Sequence, residues 1–119
     1  MKNFLANERC LIISPHSDDE AFGCAGTMAK WKAQGVEIYV IVVSVGDVKH
    51  YTDQDTSLVS GQTRLEEFEA SMKYLKVDDY EVIFKDTETH LRLDAMPRRD
   101  LVSIFERDCR LAIDKIKPT

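Results

Sequence analysis

Residues 10–20 of this chain read CLIISPHSDDE, and the order of apolar and polar residues in this stretch decides the fold. The apolar run Cys10–Ser14 is stopped by Pro15, which is typical of a short buried β-strand. A polar turn follows, and residues Glu20–Gln34 then carry apolar side chains on one face of a helix that Gly35 ends. The stretch therefore predicts a strand, a polar turn and a helix in succession.

The same alternation of strand and helix continues along the chain. The further predicted elements are a strand Glu37–Ser44, a helix Thr63–Leu75, a strand Tyr80–Phe84 and a last helix from Pro97 to Ile116. Thr63 and Glu66 match a capping box at the start of the second helix. The order βαβαβα predicts an α/β fold with a parallel sheet and right-handed crossovers, half of a doubly wound fold.

Two long connections follow the second and third predicted strands, at about residues 45–62 and 85–96. Loops of this length are uncommon in compact domains unless they have a function. Because the loops after parallel strands all lie at the carboxyl edge of the sheet, where open α/β folds bind ligands, we expect the functional site at that edge.

Composition and charge restrict the class of protein. The chain has 119 residues, of which 44% are hydrophobic and 31% charged, as expected of one globular domain. Its formal net charge of -5 argues against a nucleic-acid partner and against docking on anionic lipid. No apolar stretch approaches the roughly 20 residues of a membrane span, and the first residues lack the apolar region of a secretory signal. The three cysteines form no CxxC motif, so we expect free thiols and a cytoplasmic location.

The polar turn holds an imidazole and neighbouring carboxylates that suit a metal site. His16 and Asp19 are three residues apart, so one turn can direct both at the same point, and both side-chain types bind zinc. Because adjacent residues point in different directions, Asp18 need not bind the same ion; it would lie beside a metal-bound water, where a carboxylate serves as a general base. Capping of a helix N-terminus is the alternative role for these carboxylates, and the spacing alone leaves it open.

Residues 15–20, PHSDDE, together with residues 22–27, FGCAGT, resemble the opening motif of the PIG-L/LmbE-like deacetylases. The usual motif has Pro in place of Ser17 and Gly in place of Ala25, so both departures leave the chemical residues unchanged. Weaker similarity continues through Arg64–Leu75 and Leu93–Pro97 to the end of the chain. The resemblance implies a Rossmann-like three-layer fold and a zinc-dependent enzyme that deacetylates an N-acetylated amino sugar or its conjugate, releasing acetate and a free amine.

The resemblance also implies roles for individual residues of the motif. His16 and Asp19 would be two of the three Zn²⁺ ligands, and Asp18 would be the general base that deprotonates the attacking water. Gly23 and Gly26 are expected to allow close packing of the first helix on the sheet.

Residues of the later segments are candidates for substrate contact. The resemblance makes Arg64 a substrate-side residue, although an arginine in the first turn of a helix also forms ordinary ion pairs. Asp47 and His50 lie in the first long loop, at the predicted edge, and exposed loop residues of this kind are often merely solvated. His90, in the second long loop, is the weakest candidate.

The third zinc ligand of the family is a histidine that follows another strand, which would come after Thr119. We therefore expect residues 1–119 to be the amino-terminal part of a single deacetylase-like domain, truncated before the fourth strand. Such a part would bind zinc weakly, lack deacetylase activity and expose strand one as a sheet edge open to self-association.

Two functions of other classes are weighed against this one. A receiver-type signalling domain also has an acidic pair after strand one, with Asp86 as the phosphoacceptor, but that fold needs five strand–helix units and leaves His16 without a role. A non-catalytic fragment that acts only by association is the other alternative.

Overall fold

The computed structural model describes residues 7–16, 19–46, 48–51 and 56–119, and for residues 19–22, 48–51 and 56–59 it describes the backbone only. The elements are, in chain order, β1 (Arg9–His16), α1 (Asp19–Ala33), β2 (Glu37–Ser44), β3 (Val48–Tyr51), β4 (Thr56–Val59), α2 (Gly61–Leu75), β5 (Asp79–Phe84), α3 (Thr87–Leu91), a 3-10 turn (Leu93–Ala95), α4 (Arg98–Ser103), a π-helical turn (Ile104–Asp108) and α5 (Ile113–Ile116).

Three strands form a parallel sheet in the order β1-β2-β5. Their register places His16 of β1 beside Ser44 of β2, and Ser44 beside Phe84 of β5. The carboxyl ends of all three strands therefore meet at one edge. The predicted parallel α/β fold is confirmed, and within the described part of the chain β1 is an outer strand of the sheet, as expected.

Helices and turns pack on both faces of this sheet, which gives the expected three layers. On the face covered by α1 and α2, the buried side chains are Met28, Val36, Ile38, Val40, Val42, Val45, Phe68 and Met72. On the other face, the buried side chains are Ile41, Cys109, Leu111 and Ala112. Successive residues of β2 supply both clusters, because neighbouring side chains of a strand point to opposite faces. β2 is therefore the buried central strand.

The start of α2 differs from the predicted capping box at Thr63. The helix begins at Gly61, and the side chain of its N-cap Ser60 accepts a hydrogen bond from the Thr63 backbone N–H at 3.1 Å. The predicted box is wrong because Ser60 already occupies the cap position, and Thr63 supplies one of the N–H groups that the cap satisfies.

The continuous last helix predicted for residues 97–116 is broken in the structure. α4 passes into the π-helical turn, and helix resumes only at α5. The Glu81 side chain on β5 accepts hydrogen bonds from the backbone N–H groups of Arg110 at 3.2 Å and Leu111 at 3.0 Å. Because these N–H groups bond to Glu81 rather than within a helix, the chain leaves the helical path at this point.

The two long loops contain short elements that the sequence analysis did not predict. The first holds the antiparallel pair β3 and β4, with Val48 opposite Val59. The second holds α3, whose N-cap Asp86 accepts a hydrogen bond from the Thr89 backbone N–H at 2.8 Å. α3 thus begins directly after β5 and lies at the carboxyl edge of the sheet.

The segment after α5 returns to the amino end of β1. The Thr119 backbone N–H donates to the Arg9 carbonyl oxygen at 2.8 Å, and the Thr119 hydroxyl accepts from the Arg9 N–H at 2.9 Å. These bonds hold the segment beside the amino end of β1, away from the edge where the predicted site lies.

Candidate active site

His16 stands at the carboxyl end of β1, where it is exposed to solvent. The hydroxyl of Ser14, which is 2% exposed, donates a hydrogen bond to the His16 carbonyl oxygen at 2.6 Å. This bond stabilises the backbone at the point where the strand passes into the polar turn. The turn that the sequence predicts to carry the chemistry therefore starts at the expected edge of the sheet.

The structure brings a second imidazole against the first. The ring centroids of His16 and His90 lie 5.1 Å apart with an interplanar angle of 71°, which is an edge-to-face contact. Sequence reasoning placed His90 last among the candidates. The signal that could have found it is topological: β1 and β5 end at the same edge with only β2 between them, so the loops after them are neighbours.

His90 is seated on the residues that end β2. The Ser44 hydroxyl oxygen lies 2.7 Å from Nδ1 of His90, a hydrogen-bonding distance, and Ser44 is fully buried. A Cβ built on Gly46 would come within 2.8 Å of the Cβ, Cγ and Cδ2 atoms of His90. Glycine at position 46 is therefore required for the His90 ring to approach the backbone this closely.

The surroundings of His90 favour its uncharged form. Its pKa is lowered from the usual value, first by burial and then by the positive potential of His16 and Arg64. Burial removes the water that would stabilise an imidazolium, and neighbouring positive charges repel one.

Arg64 reaches the same edge from the first turn of α2. Its Nη1 donates a hydrogen bond to the Gly46 carbonyl oxygen at 3.2 Å, and the residue is half-buried. Gly46 thus contacts His90 on one side and Arg64 on the other. Of the residues predicted from sequence for the site, the structure brings His16 and Arg64 to one edge and adds His90, which contacts His16 and Gly46.

For four other predicted residues, the structure describes either nothing or the backbone only. Asp18 and Asp47 lie outside the described part of the chain altogether, and Asp19 begins α1 but its side chain is not described. The side chain of His50, in β3, is likewise outside the description. The roles of these residues stay predictions.

The residue types at this edge suit a zinc ion. Among the described side chains, no three His, Cys, Asp or Glu groups come together as a metal site. His16 ends β1, and Asp19, three residues later, begins the helix that follows. Imidazole nitrogen and carboxylate oxygen are both common zinc donors, so this donor set fits zinc.

An apolar cavity of about 330 Å³ opens beside His16. Its other walls are Pro15, Val43, Leu93, Asp94, Leu101 and Phe105. A larger cavity of about 420 Å³ lies at the amino end of β1, between Trp31 and Pro118, at the opposite end of the strand from His16. Because catalytic sites combine concave space with convergent polar groups, the smaller cavity is the one that belongs to the candidate site.

Asp86, the phosphoacceptor of the receiver-type alternative, has a structural role. Its carboxylate caps α3, and the hydrogen bonds from Thr89 hold its pKa below the usual value. Such bonds stabilise the charged carboxylate and explain why an aspartate follows β5 without any phosphoryl chemistry.

A family model and a curated protein that match this chain are both described as deacetylases. The family model for GlcNAc-PI de-N-acetylases, PIG-L, matches residues 11–115. A 1D-myo-inositol 2-acetamido-2-deoxy-alpha-D-glucopyranoside deacetylase of Streptomyces avermitilis is 32% identical over 85 residues, which are 64% of this chain and 28% of that protein. The chain thus spans less than a third of the length of this curated relative.

Two solved structures share the fold. An N,N'-diacetylchitobiose deacetylase from Pyrococcus horikoshii superposes with a TM-score of 0.58 and 27% identity, covering 85% of this chain and 38% of that one. A deacetylase triple mutant from the teicoplanin biosynthetic pathway gives 0.59 and 26%, covering 94% of this chain and 48% of that one. None of the described helices is long and apolar enough to cross a membrane.

Proposed function

Because this chain belongs to the PIG-L family of GlcNAc-PI de-N-acetylases, we propose that it is part of a zinc-dependent N-deacetylase of an N-acetylated amino sugar or sugar conjugate. Water adds to the acetamide carbonyl carbon, the C–N bond breaks, and acetate and a free amine are released. The observation that carries the proposal is the position of His16 at the carboxyl edge, in ring contact with His90, while Arg64 bonds to Gly46 at the same edge. The names of the similar proteins support the substrate class.

In this proposal His16 and Asp19 hold the zinc ion. Zinc, when bound, supplies Lewis-acid polarisation of the acetamide carbonyl. The position of His16 supports the assignment, since it follows a buried strand whose end is stabilised by the bond from Ser14. Asp19 adds a negative charge, which offsets the charge of the cation.

Asp18 is the proposed general base. It accepts a proton from the attacking water as the new C–O bond forms, and the same proton can pass to the nitrogen as the C–N bond breaks. Without that transfer the amine would have to leave as an anion. Asp18 directly precedes Asp19, so the turn that presents the metal ligands also presents the base.

Arg64 and Asp47 are the proposed substrate-binding residues. The Arg64 guanidinium donates one N–H group to the Gly46 carbonyl oxygen, and its other N–H groups can donate to sugar oxygens. Asp47 directly follows Gly46 in the sequence, and a carboxylate accepts hydrogen bonds from sugar hydroxyls. The cavity beside His16 offers space for an apolar portion of the substrate.

We also propose the domain organisation, the location and the self-association of the protein. Residues 1–119 are taken as the amino-terminal part of a single deacetylase-like domain, supported by the small share of each similar protein that the chain covers. The cytoplasm is the proposed location, supported by the free cysteines Cys10, Cys24 and Cys109. Self-association through the outer edge of β1 is proposed because Ile13 there is 41% exposed.

Metal-dependent amine release tests the proposal. The protein that carries this sequence is stripped with a chelator and assayed on N-acetylglucosaminyl conjugates, with the free amine measured colorimetrically. We expect stripping to abolish turnover and added Zn²⁺ to restore it. His16→Ala should lose both zinc and turnover, whereas Glu88→Ala, at an exposed residue of α3, should lose neither. Full turnover by the His16→Ala protein would overturn the proposal, and no turnover by the wild type would favour a non-catalytic role.

A further inference from the structure

His90 has no role in the chemistry proposed above, although several contacts hold it at the carboxyl edge of the sheet. Its Nδ1 lies 2.7 Å from the Ser44 hydroxyl oxygen, and Ser44 is fully buried in the central strand. Its ring rests on Gly46, and its backbone N–H donates to the Asp86 carbonyl oxygen at 3.1 Å. Three independent contacts thus fix both the backbone and the ring of His90.

His16 is exposed to solvent at the carboxyl end of β1, an outer strand of the sheet. A solvent-exposed side chain generally samples several rotamers. If a metal-binding side chain becomes ordered only when the metal binds, the entropy lost in that ordering lowers the metal affinity. The edge-to-face contact with His90, at 5.1 Å between centroids, restricts the orientation of the His16 ring. The partner ring is itself held in place by Ser44 and Gly46.

We propose that His90 is a positioning residue that holds the His16 ring in the orientation needed for metal binding. The inference rests on the proposed function, in which His16 is a zinc ligand. Metal-binding histidines generally depend on outer partners that fix the ring. Because the partner here is an edge-to-face ring contact, its loss should lower metal affinity about 2–10-fold. Ser44 and Gly46 belong to the same device, since they fix His90 in turn.

A purely structural role of His90 has to be separated from the positioning role. His90 could simply fill space above Gly46, in which case its removal would change stability and leave His16 undisturbed. The readout must therefore report on the His16 ring and on zinc affinity, with stability measured separately. The chain has only three histidines, so each ring can be assigned in an NMR spectrum by comparing variants.

The experiment uses the 119-residue chain labelled with ¹³C and ¹⁵N. In the wild type, we expect cross-relaxation between the ring protons of His16 and His90. In His90→Ala, the His16 ring signals should move towards those of the urea-unfolded chain, and Zn²⁺ affinity, measured by chelator competition, should fall about 2–10-fold. His90→Phe keeps a ring beside His16 and should lose less affinity than His90→Ala. Leu91→Ala, at a 70% exposed residue of the same helix, is the matched control and should change neither readout.

Each possible result either supports or overturns the positioning role of His90. A folded His90→Ala chain with wild-type His16 signals and wild-type zinc affinity would overturn the inference. If that variant does not fold, Ser44→Ala carries the test, because it keeps the ring and removes its anchor: shifted His16 signals and weaker zinc binding support the inference, and unchanged ones overturn it. If wild type and His16→Ala bind zinc equally, the proposed function fails, while the His16 ring signals still decide whether His90 positions that ring.

Discussion

Gly26 lies in the middle of α1, and a Cβ at this position would meet no described atom within 4 Å. Gly23, one turn earlier, is equally open. The expectation that these two glycines permit close helix-to-sheet packing is therefore wrong for the described residues. Gly46, which sequence reasoning did not single out, is the glycine whose missing side chain matters, because His90 occupies the space.

Gly26→Ala should stabilise the chain. Alanine loses less backbone entropy than glycine on entering a helix, and the methyl group meets open space, so we expect a gain of about 0.5–1 kcal/mol in the free energy of unfolding. Gly46→Ala is the matched opposite: its methyl group would collide with His90, so this variant should be destabilised. Urea titrations of the three proteins measure both effects, and a loss of stability in Gly26→Ala would show that the space beside Gly26 is occupied.

At the residue scale, His16 could be found from sequence because it stands in a polar turn directly after an apolar run that predicts a buried strand. His90 could not be found in the same way. Its position depends on the loop after β5 folding back as α3 and on Ser44 offering a buried hydroxyl, and neither fact appears in the spacing of residues. Contacts that join separate loops are set by the tertiary fold rather than by local pattern.

The residues between the π-helical turn and α5 show how a strand can interrupt a helix. Residues 97–116 have helical spacing of apolar side chains, so the sequence predicts one helix there. The structure instead uses two carboxylates of β5, Asp79 and Glu81, to hold Arg110 and Leu111 over the sheet. Cys109 and Ala112, which have this spacing, are buried, but so is Leu111, which does not have it. The spacing carries no information about the backbone hydrogen bonds.

Glu81→Ala should release this segment. The carboxylate accepts two backbone N–H groups, and hydrogen bonds to charged groups contribute about 1.5–3 kcal/mol, so we expect a loss of that order in the free energy of unfolding. Amide exchange at Arg110 and Leu111 should rise in the same variant. Glu88→Ala serves as the control, because the Glu88 side chain is 79% exposed, and it should change stability by less than about 0.5 kcal/mol. Unchanged amide exchange in Glu81→Ala would contradict this account.

The ion pair between Asp79 and Arg110 should make stability depend on pH. The hydrogen bond from Arg110 holds the pKa of Asp79 below its usual value, so the folded state favours the charged carboxylate. The resulting stabilisation is present above the unfolded pKa of about 3.9 and is lost as the pH falls through the lower folded pKa. Wild type should therefore exceed Asp79→Asn in stability at pH 7, by less than about 1 kcal/mol for so exposed a pair, and the difference should close in acid. Urea titrations at pH 7 and at a pH below the folded pKa of Asp79 measure this difference in stability. A difference that persists at the lower pH would show that another interaction provides the stabilisation.

At the scale of the whole molecule, the outer strand β1 has an edge that no other described strand pairs with. The order β1-β2-β5 leaves β1 with a strand neighbour on one side within the described chain, and Thr119 is bonded only to its first residue, Arg9. The parallel fold could be predicted from sequence, because three apolar runs alternate with helical spacing and each run is too short for a helix. The pair β3 and β4 could not, because four-residue strands in a polar loop leave almost no periodic signal.

The proposed self-association predicts a concentration-dependent mass. Unpaired strand edges with exposed apolar side chains tend to pair with a second copy, and Ile13 is 41% exposed. Sedimentation equilibrium should show dimers at higher concentration for the wild type, and Ile13→Lys should shift the equilibrium towards monomer. Tyr74→Lys, which changes an 85% exposed residue of α2, is the control and should leave it unchanged. A wild type that remains monomeric at every concentration would contradict the proposal.

The most direct test of the deacetylase proposal compares Asp18→Asn with the wild type in the protein that carries this sequence. Zinc content and the rate of amine release from an N-acetylglucosaminyl conjugate are measured in the same samples. Since only the general base is removed, we expect equal zinc content and a rate lower by about 10²–10⁴-fold. An Asp18→Asn protein with full zinc content and wild-type turnover would contradict the account.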